Sequence, residues 1–495
     1  MFSLRPASRR ILSPRFRFRH YSSSTSTFPR TISSLLYSSP SDGKTNETVT
    51  VTGWVRSVRR MKNVSFAHVS DGSTIHPVQA VLTKEQSENL SMGASVKIMG
   101  EWKESIGGKR QQSRELLAEK VELLGKADPL TYPLQKKYQT PEFLRTLSHL
   151  RPRIPANTNL LRLRSNLIST LTAFFAEHSF IQCHTPIITP SDCEGAGEVF
   201  TITRPENFFK TPKYLTVSSQ LHLEALAAAV PRVWTLSPTF RAEKSDTARH
   251  LSEFYMLEVE AAFIDSLDPL IALIEAMVKT LVRSISTSRL GEETLSTVGG
   301  EDKAKELEER WNSLLERPWS RITYTEAISR LSSAVEQKEV QFAFPPVWGA
   351  ALQAEHERFL AQTVFNGPVF VTDYPKSLKP FYMLPSTSTT PTPEGGETVA
   401  CFDLLVPVVG ELIGGSLREH RYDELLAEMQ KHGMVLGDGD EDEGSLRWYL
   451  ELRKWGSVKH GGFGLGFDRL VCYLAGVENI REAVAFPRWV GRCDC

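Results

Sequence analysis

The chain first becomes regular at Thr48-Val-Thr-Val-Thr-Gly-Trp54-Val, where apolar and polar residues alternate with period two and predict a half-buried strand. Val64 to Val69, closed by Asp71-Gly72, predicts a second strand, and Ile75 to Leu82 a third. Residues 83–90 read as a short helix; Ser95 to Met99 and Arg114 to Leu124 read as two more strands. From 126 to 156 the periodicity is lost, and Pro and basic residues (Lys136-Lys137, Arg151-Pro-Arg153) predict a hinge. From Asn157, apolar residues at Leu160, Leu163, Leu167, Leu171 and Phe174-Phe175 keep helical spacing to about 178. Strands follow at 180–188, 214–217, 233–236, 254–263, 368–372, 400–406 and 410–413. Residues 285–318, polar with a helical run from Lys303 to Arg310, and the Ser/Thr/Pro/Gly stretch 386–398 look like insertions.

Five short strands with a helix between the third and fourth is the layout of an OB-fold barrel. The prediction is therefore an α/β multidomain chain: an OB barrel over 44–125, a hinge over 126–156 and a larger sheet-and-helix domain over 157–495. OB barrels bind oligonucleotides by stacking bases on aromatics and tracking phosphates with Lys and Arg. Arg56, Arg59, Arg60 and Lys62 surround the first strand and its turn, with Phe66 and Gln79 on the next two strands. Phe66 serves either the barrel core or a base, and the hinge charges face either solvent or an RNA backbone.

Charge sharpens this division. The 495 residues hold 58 Lys+Arg and 58 Asp+Glu, a formal net charge of zero. Residues 1–41 carry seven Arg and twelve Ser and no acid, residues 44–157 hold 18 basic against 11 acidic side chains, and 158–495 hold 33 against 46. An Arg- and Ser-rich, acid-free start is the composition of a mitochondrial transit peptide, with Arg19-His20-Tyr21-Ser22 resembling a processing site. The expected destination is the mitochondrial matrix; the alternative is a disordered basic arm that binds RNA. No apolar run approaches the ~18 residues of a membrane span, so stable membrane association is not expected. The six Cys show no C-x-x-C pair, and the acidic run 438–443 lacks the Gly and ligand spacing of a calcium loop.

Three segments carry a resemblance. They are the helix and strand ending at Pro186, then Phe240-Arg241-Ala-Glu243 with Arg249-His250-Leu-Ser-Glu-Phe254, then Gly461-Gly-Phe-Gly464-Leu-Gly466-Phe-Asp-Arg469. In this order, behind an OB barrel, they resemble motifs 1, 2 and 3 of class II aminoacyl-tRNA synthetases, in the aspartyl, asparaginyl and lysyl subclass. The resemblance covers about residues 44–495. It implies a mostly antiparallel catalytic sheet flanked by helices, ATP as substrate, Mg²⁺, and a homodimer formed through motif 1.

The chemistry so implied joins an amino-acid carboxylate to the ATP α-phosphate, which calls for cations around a polyphosphate rather than a nucleophilic side chain. Arg241 would grip the α-phosphate and the attacking carboxylate, since a guanidinium fork matches such oxygens. Glu243 would lie near the adenine amino group, and Phe254 would stack on adenine. Arg249, His250 and Arg469 would meet the outer phosphates, and Gly464 and Gly466 would let the backbone approach the nucleotide. Glu411 is the implied magnesium ligand; Asp403 is either a second one or half of a salt bridge beneath the site.

The amino acid is indicated by Ser218-Ser219-Gln220-Leu-His-Leu223-Glu224. Aspartyl and non-discriminating relatives have Ser-Pro-Gln-Leu-Tyr-Lys-Gln there, with Lys facing the substrate carboxylate. Leu223 replaces that Lys and Glu224 the following Gln, an exchange of cation for anion that disfavours aspartate and suits an amide. Arg418 would donate to the amide oxygen; Gln220 and Glu194 would grip the α-ammonium. The runs 192–200, 402–407, 447–456 and 478–488 also resemble asparaginyl-tRNA synthetases, the mitochondrial form above all. The expected reaction is ATP-dependent ligation of L-asparagine to tRNA(Asn), with Phe66 stacking on an anticodon base, Gln79 hydrogen-bonding it, and Arg56 and Arg60 on the backbone. Alternatives are an aspartyl enzyme, an asparagine synthetase that shares the catalytic core, and a regulator without activity.

Overall fold

The alternating N-terminal pattern closes on itself. The computed structural model describes residues 28–37, 47–105, 113–190, 199–202, 208–387, 392–434 and 446–495. Residues 1–27, Cys193, Glu194 and the acidic run 438–443 lie outside them. The chain divides into two units, Met1–Gln135 and Lys136–Cys495.

In the first unit a helix, α1 (Ile32–Tyr37), precedes β1 (Glu47–Arg60), β2 (Ser65–Ser70), β3 (Val78–Leu82), α2 (Lys84–Ser87), β4 (Ser95–Glu104) and β5 (Arg114–Gly125). The strands form a closed barrel in the order β1-β2-β3-β5-β4. Alternate residues fill it: Val49, Val51, Ala67, Val69, Val78, Ala80, Val96 and Ile98 are buried. Thr83 starts α2 with a capping box, its hydroxyl accepting from Gln86 N while Gln86 Oε1 accepts from Thr83 N.

The helix α1 corrects the sequence boundary. Ile32 and Leu35 belong to the barrel core, and burying two such side chains stabilises by about 1.5–3 kcal/mol each. Asp71 accepts from Ile32 N at 2.8 Å and from Ser73 N at 2.9 Å, and Ser73 Oγ accepts from Ser33 N at 2.8 Å. A disordered presequence drawn to residue 41 therefore ends too late, because residues 32–37 are part of the fold.

The second unit runs α3 (Pro141–Arg145), α4 (Pro155–Glu177), β6 (Ile181–Gln182), β7 (Ile188–Thr189), β8 (Thr201–Ile202), β9 (Lys213–Leu215), α5 (Gln220–Ala227), β10 (Arg232–Phe240) and β11 (Glu253–Ala262). Then come α6 (Asp268–Ser286), α7 (Arg289–Thr297), α8 (Glu301–Glu316), β12 (Ser320–Thr323), α9 (Tyr324–Glu336), α10 (Ala354–Arg358), β13 (Val369–Thr372), β14 (Cys401–Val406) and β15 (Gly410–Leu417). The chain ends with α11 (Tyr422–Lys431), α12 (Arg447–Glu451), β16 (His460–Gly466), α13 (Phe467–Ala475) and α14 (Ile480–Ala483). An eight-stranded sheet has the order β12-β13-β14-β15-β16-β11-β10-β6 and is antiparallel except at its two outer pairs. Leu257 and Val259 of β11 point into a core built with α4, α6, α8 and α13.

Three expectations change. The strand over 180–188 is two short pieces, β6 and β7, on either side of Pro186, which has no N–H for a ladder. Residues 285–318 are helical and central: Leu307, Trp311 and Leu314 are buried in the main core, and Trp311 Nε1 donates to Leu474 O at 3.0 Å. In the hinge, Arg145 and Arg151 are buried and both pair with Glu482, and Arg151 Nη2 donates to Arg481 O at 2.8 Å. Those two charges are structural; Lys136, Lys137 and Arg153 are exposed.

Candidate active site and nucleic-acid interface

The site is set by register. Across the sheet, Glu258 of β11 faces Gly464 of β16, Gly464 faces Gly414 of β15, and Gly414 faces Asp403 of β14. The next row on that face is Glu260, Gly462, Ser416 and Cys401. Strand alternation puts Phe254, Met256, Glu258 and Glu260 on one face, and the glycines between the acids leave a floor of bare backbone. A Cβ at Gly462 would stand 2.2 Å from Glu260 Oε2.

Two cavities open on this floor and share Arg241, Met256, Glu411 and Gly464. The first is lined by Ser218, Gln220, Leu223, Glu258, Glu260, Lys379, Tyr382, Asp403 and Arg418. The second is lined by Glu243, Arg249, His250, Phe254, Gly466 and Arg469. Residues of the second and third motifs, separated in sequence, are thus brought together; Glu224 stands apart, and Glu194 lies outside the described residues.

In the first cavity the charges are held by protein partners. Arg418, buried, donates to Glu260 Oε2 from Nη2 at 3.0 Å and to Ser416 Oγ from Nη1 at 2.7 Å. Glu258 accepts from the Ser218 hydroxyl and from Ser219 N at 2.8 Å. Burial raises the Glu258 carboxyl above its ordinary range despite those donors. Burial and the charge of Glu224 likewise raise Glu260 against the pull of Arg418. Lys379 Nζ bonds both Asp403 oxygens, at 2.9 and 3.1 Å. This is the ion pair of the salt-bridge reading of Asp403.

Glu224 departs from expectation. Its carboxylate is fully enclosed and does not line the first cavity. It accepts from Gln220 Nε2 at 3.1 Å, Tyr449 OH at 2.9 Å and Arg453 Nη2 at 2.7 Å, and lies 3.9 Å from Arg418 Nε. It stands one layer behind the cavity and acts on it through Gln220 and Arg418.

The second cavity gathers three arginines, Arg241, Arg249 and Arg469, and His250 beside Glu243, Glu411 and Asp468. Arg241 stands over the Phe254 ring at 5.8 Å, and Glu243 lies 4.0 Å from Arg241 and 3.2 Å from His250. Arg469 Nη1 donates to Glu411 O at 3.0 Å. Burial, then repulsion from Arg358 and Arg469, lowers the Arg249 guanidinium below its usual value. Burial and Asp403 raise Glu411. Behind it Glu357 accepts from Glu411 N at 3.1 Å and is raised to about 7, by burial first and by Glu411 second.

Sequence reading missed Glu258, Glu260, Lys379, Tyr382, Tyr449, Arg453 and Glu357. The two acids at period two in apolar β11 were a visible signal.

On the barrel, Ala67 and Val69 point inward, so the half-buried Phe66 belongs to the outer face. Phe66 pairs with Arg59 and Val81, and His68 with Gln79. Gln79 Nε2 donates to Glu115 Oε2 at 3.0 Å. Arg56 is half-buried. Arg60 is exposed, and its Nη2 donates to Ser87 O at 2.8 Å and Leu90 O at 2.7 Å at the end of α2. Arg59 is exposed beside Phe66.

Comparison with known proteins follows this division. Residues 140–490 match the family of class II tRNA synthetases (D, K and N), and residues 49–124 match the OB-fold nucleic acid binding domain. The chain is 43% identical over 478 residues to the mitochondrial asparagine–tRNA ligase of Schizosaccharomyces pombe, covering 94% of this chain and 98% of that one. It is 40% identical to the mitochondrial asparagine–tRNA ligase of Saccharomyces cerevisiae, covering 90% and 92%. Among solved structures it is similar to the asparaginyl-tRNA synthetase of Pyrococcus horikoshii complexed with asparaginyl-adenylate, with a TM-score of 0.75, 32% identity and 90% and 96% coverage.

Proposed function

The chain belongs to the class II tRNA synthetases of the aspartate, lysine and asparagine group, and from that premise we propose that it joins L-asparagine to tRNA(Asn) in the mitochondrial matrix. ATP is the co-substrate, and the intermediate is an asparaginyl-adenylate. The observation that carries the choice of amino acid is the wall of the first cavity. Leu223 lines it where aspartyl relatives place Lys, and Arg418 reaches it already neutralised by Glu260. A neutral carboxamide matches that wall; a carboxylate meets no uncompensated cation there.

In this reading Arg418 donates to the amide oxygen, and Gln220 with Glu258 takes the α-ammonium. Arg241, at the junction of the cavities, brings the carboxylate oxygen to the α-phosphorus. The new bond forms there as the bond to pyrophosphate breaks, and the charge on the departing group falls to Arg249, His250 and Arg469. Phe254 carries the adenine, and Glu243 reads its amino group. Magnesium usually takes one or two carboxylates together with substrate phosphates. Glu411, facing both cavities, fits as its protein ligand while Asp403 stays with Lys379. The ion would neutralise phosphate charge. Phe66, Gln79, Arg56 and Arg59 form the anticodon surface. The motif 1 segment, where Ile181, Ile187 and Ile188 are exposed, forms a two-fold homodimer. The residues before α1 serve as the presequence.

ATP–pyrophosphate exchange with asparagine and with aspartate tests this reading. Exchange with asparagine alone is expected; comparable exchange with aspartate overturns the amino-acid assignment, and no exchange with either overturns the activity.

A further inference from the structure

Behind the amino-acid cavity, Glu224 and Glu260 share a buried cluster with Arg418, Arg453, Tyr449 and His460. His460 opens β16, and both of its ring nitrogens meet acceptors. Nδ1 is 2.8 Å from the carbonyl oxygen of Val458, and Nε2 is 3.1 Å from Glu224 Oε2. A carbonyl has no proton to give. The same Glu224 oxygen already receives Arg453 Nη2 at 2.7 Å and Tyr449 OH at 2.9 Å. A proton on it would displace one of those donors, so Glu224 is ionised. Burial acts to raise its carboxyl, but Arg453, His460 and Arg418 together hold it well below the usual range. A neutral imidazole has one N–H and satisfies only one of these contacts; the imidazolium satisfies both.

We propose that His460 works as an imidazolium and is a positioning residue for asparagine. It fixes Glu224, and Glu224 in turn fixes the Gln220 amide on the cavity wall. The ring does not line the first cavity. A separate cavity, lined by Glu224, Phe263, Arg453, Trp455 and His460, reaches it from the other side. Trp455 and Phe263 are 81% and 73% exposed, so that cavity opens to solvent and gives the ring a proton route that bypasses bound substrate. The inference rests on the asparagine reading for its substrate.

Burial acts to lower the imidazole's affinity for a proton, but Glu224 and then Glu260 raise it above the ordinary His value, with Arg453 opposing. The other charged or titratable groups facing it are Arg418, Tyr449, His420 and Lys459. Because the value is raised, the grip on Glu224 is complete below the ordinary His range and is lost as pH rises through the raised value.

Two measurements decide the matter in the full-length protein. ¹⁵N spectra of His-labelled enzyme, with His460→Asn giving the assignment, should show both nitrogens of His460 protonated at pH 7. A neutral ring at that pH overturns the proposal without reference to activity. Second, the asparagine KM of the unmutated enzyme should step upward at alkaline pH while the ATP KM does not. His460→Gln should lose that step and raise the asparagine KM by about tenfold, the loss expected of one hydrogen bond to a charged group. The substrate's own ammonium titrates alike in both proteins, so their difference reports the ring. The same step in the variant, or an equal rise in ATP KM, overturns the positioning role. Absence of asparagine exchange by the unmutated enzyme would instead count against the substrate assignment.

Discussion

The two cavities share a wall and hold charge differently. In the amino-acid cavity Arg418 lies on Glu260 and Ser416, Lys379 on Asp403, and Glu258 on Ser218 and Ser219. In the second cavity burial, and then repulsion from Arg358 and Arg469, lowers the proton affinity of Arg249. The first arrangement presents fixed donors and acceptors with no net pull, which suits a neutral side chain. The second sets Arg249 near Arg358 and Arg469, a grouping that would suit a polyphosphate. One sheet face thus separates recognition by matched hydrogen bonds from recognition by charge.

The largest way to break the comparison is at the shared wall. Arg241→Ala should lower asparagine-dependent exchange by about 10³-fold, near 4 kcal/mol, the scale of losing a transition-state donor. Stopped exchange with unchanged thermal stability is the expected measurement. Glu224→Gln attacks only the paired cavity. It leaves Arg453, His460 and Arg418 facing one another, a cost of about 3 kcal/mol. The expected result is a roughly hundredfold lower kcat/KM for asparagine, a reduced preference over aspartate and an ATP KM close to that of the parent; an unaltered preference would show that the enclosed carboxylate does not shape the cavity. Phe66→Ala should spare both cavities. tRNA charging is expected to fall by about 1–3 kcal/mol, the value of one base stack, while exchange proceeds as before. The smallest effect is ionic. Raising KCl shortens the Debye length to about 3 Å at 1 M, so the ATP KM should rise several-fold and the asparagine KM less than about twofold.

How much of this was readable from the chain depends on how local each cause is. The barrel was legible because period-two burial is a local rule, but the face of Phe66 stayed open until the closed barrel turned Ala67 and Val69 inward. The arginines of the phosphate cavity were legible because their motif spacing is local too. Glu258, Glu260 and His460 became meaningful only when β11, β15 and β16 aligned, since register between distant strands is not written in any one of them. The contacts of Arg60 were hidden for the same reason: the carbonyls it meets belong to α2 and the turn after it. Helix α1 was hidden by its setting, although Ile32, Leu35 and Leu36 stand at helical spacing. A six-residue helix has no stability of its own and exists because the barrel receives it.

That helix has a consequence for how the N-terminus can vary. If the residues before it are an import address, Ile32 and Leu35 lie where addressing gives way to architecture. Such a segment answers to two readers, a receptor that sees it extended and a barrel that sees it coiled. A change acceptable to one can be rejected by the other, so the border between signal and enzyme should drift more slowly than the signal itself.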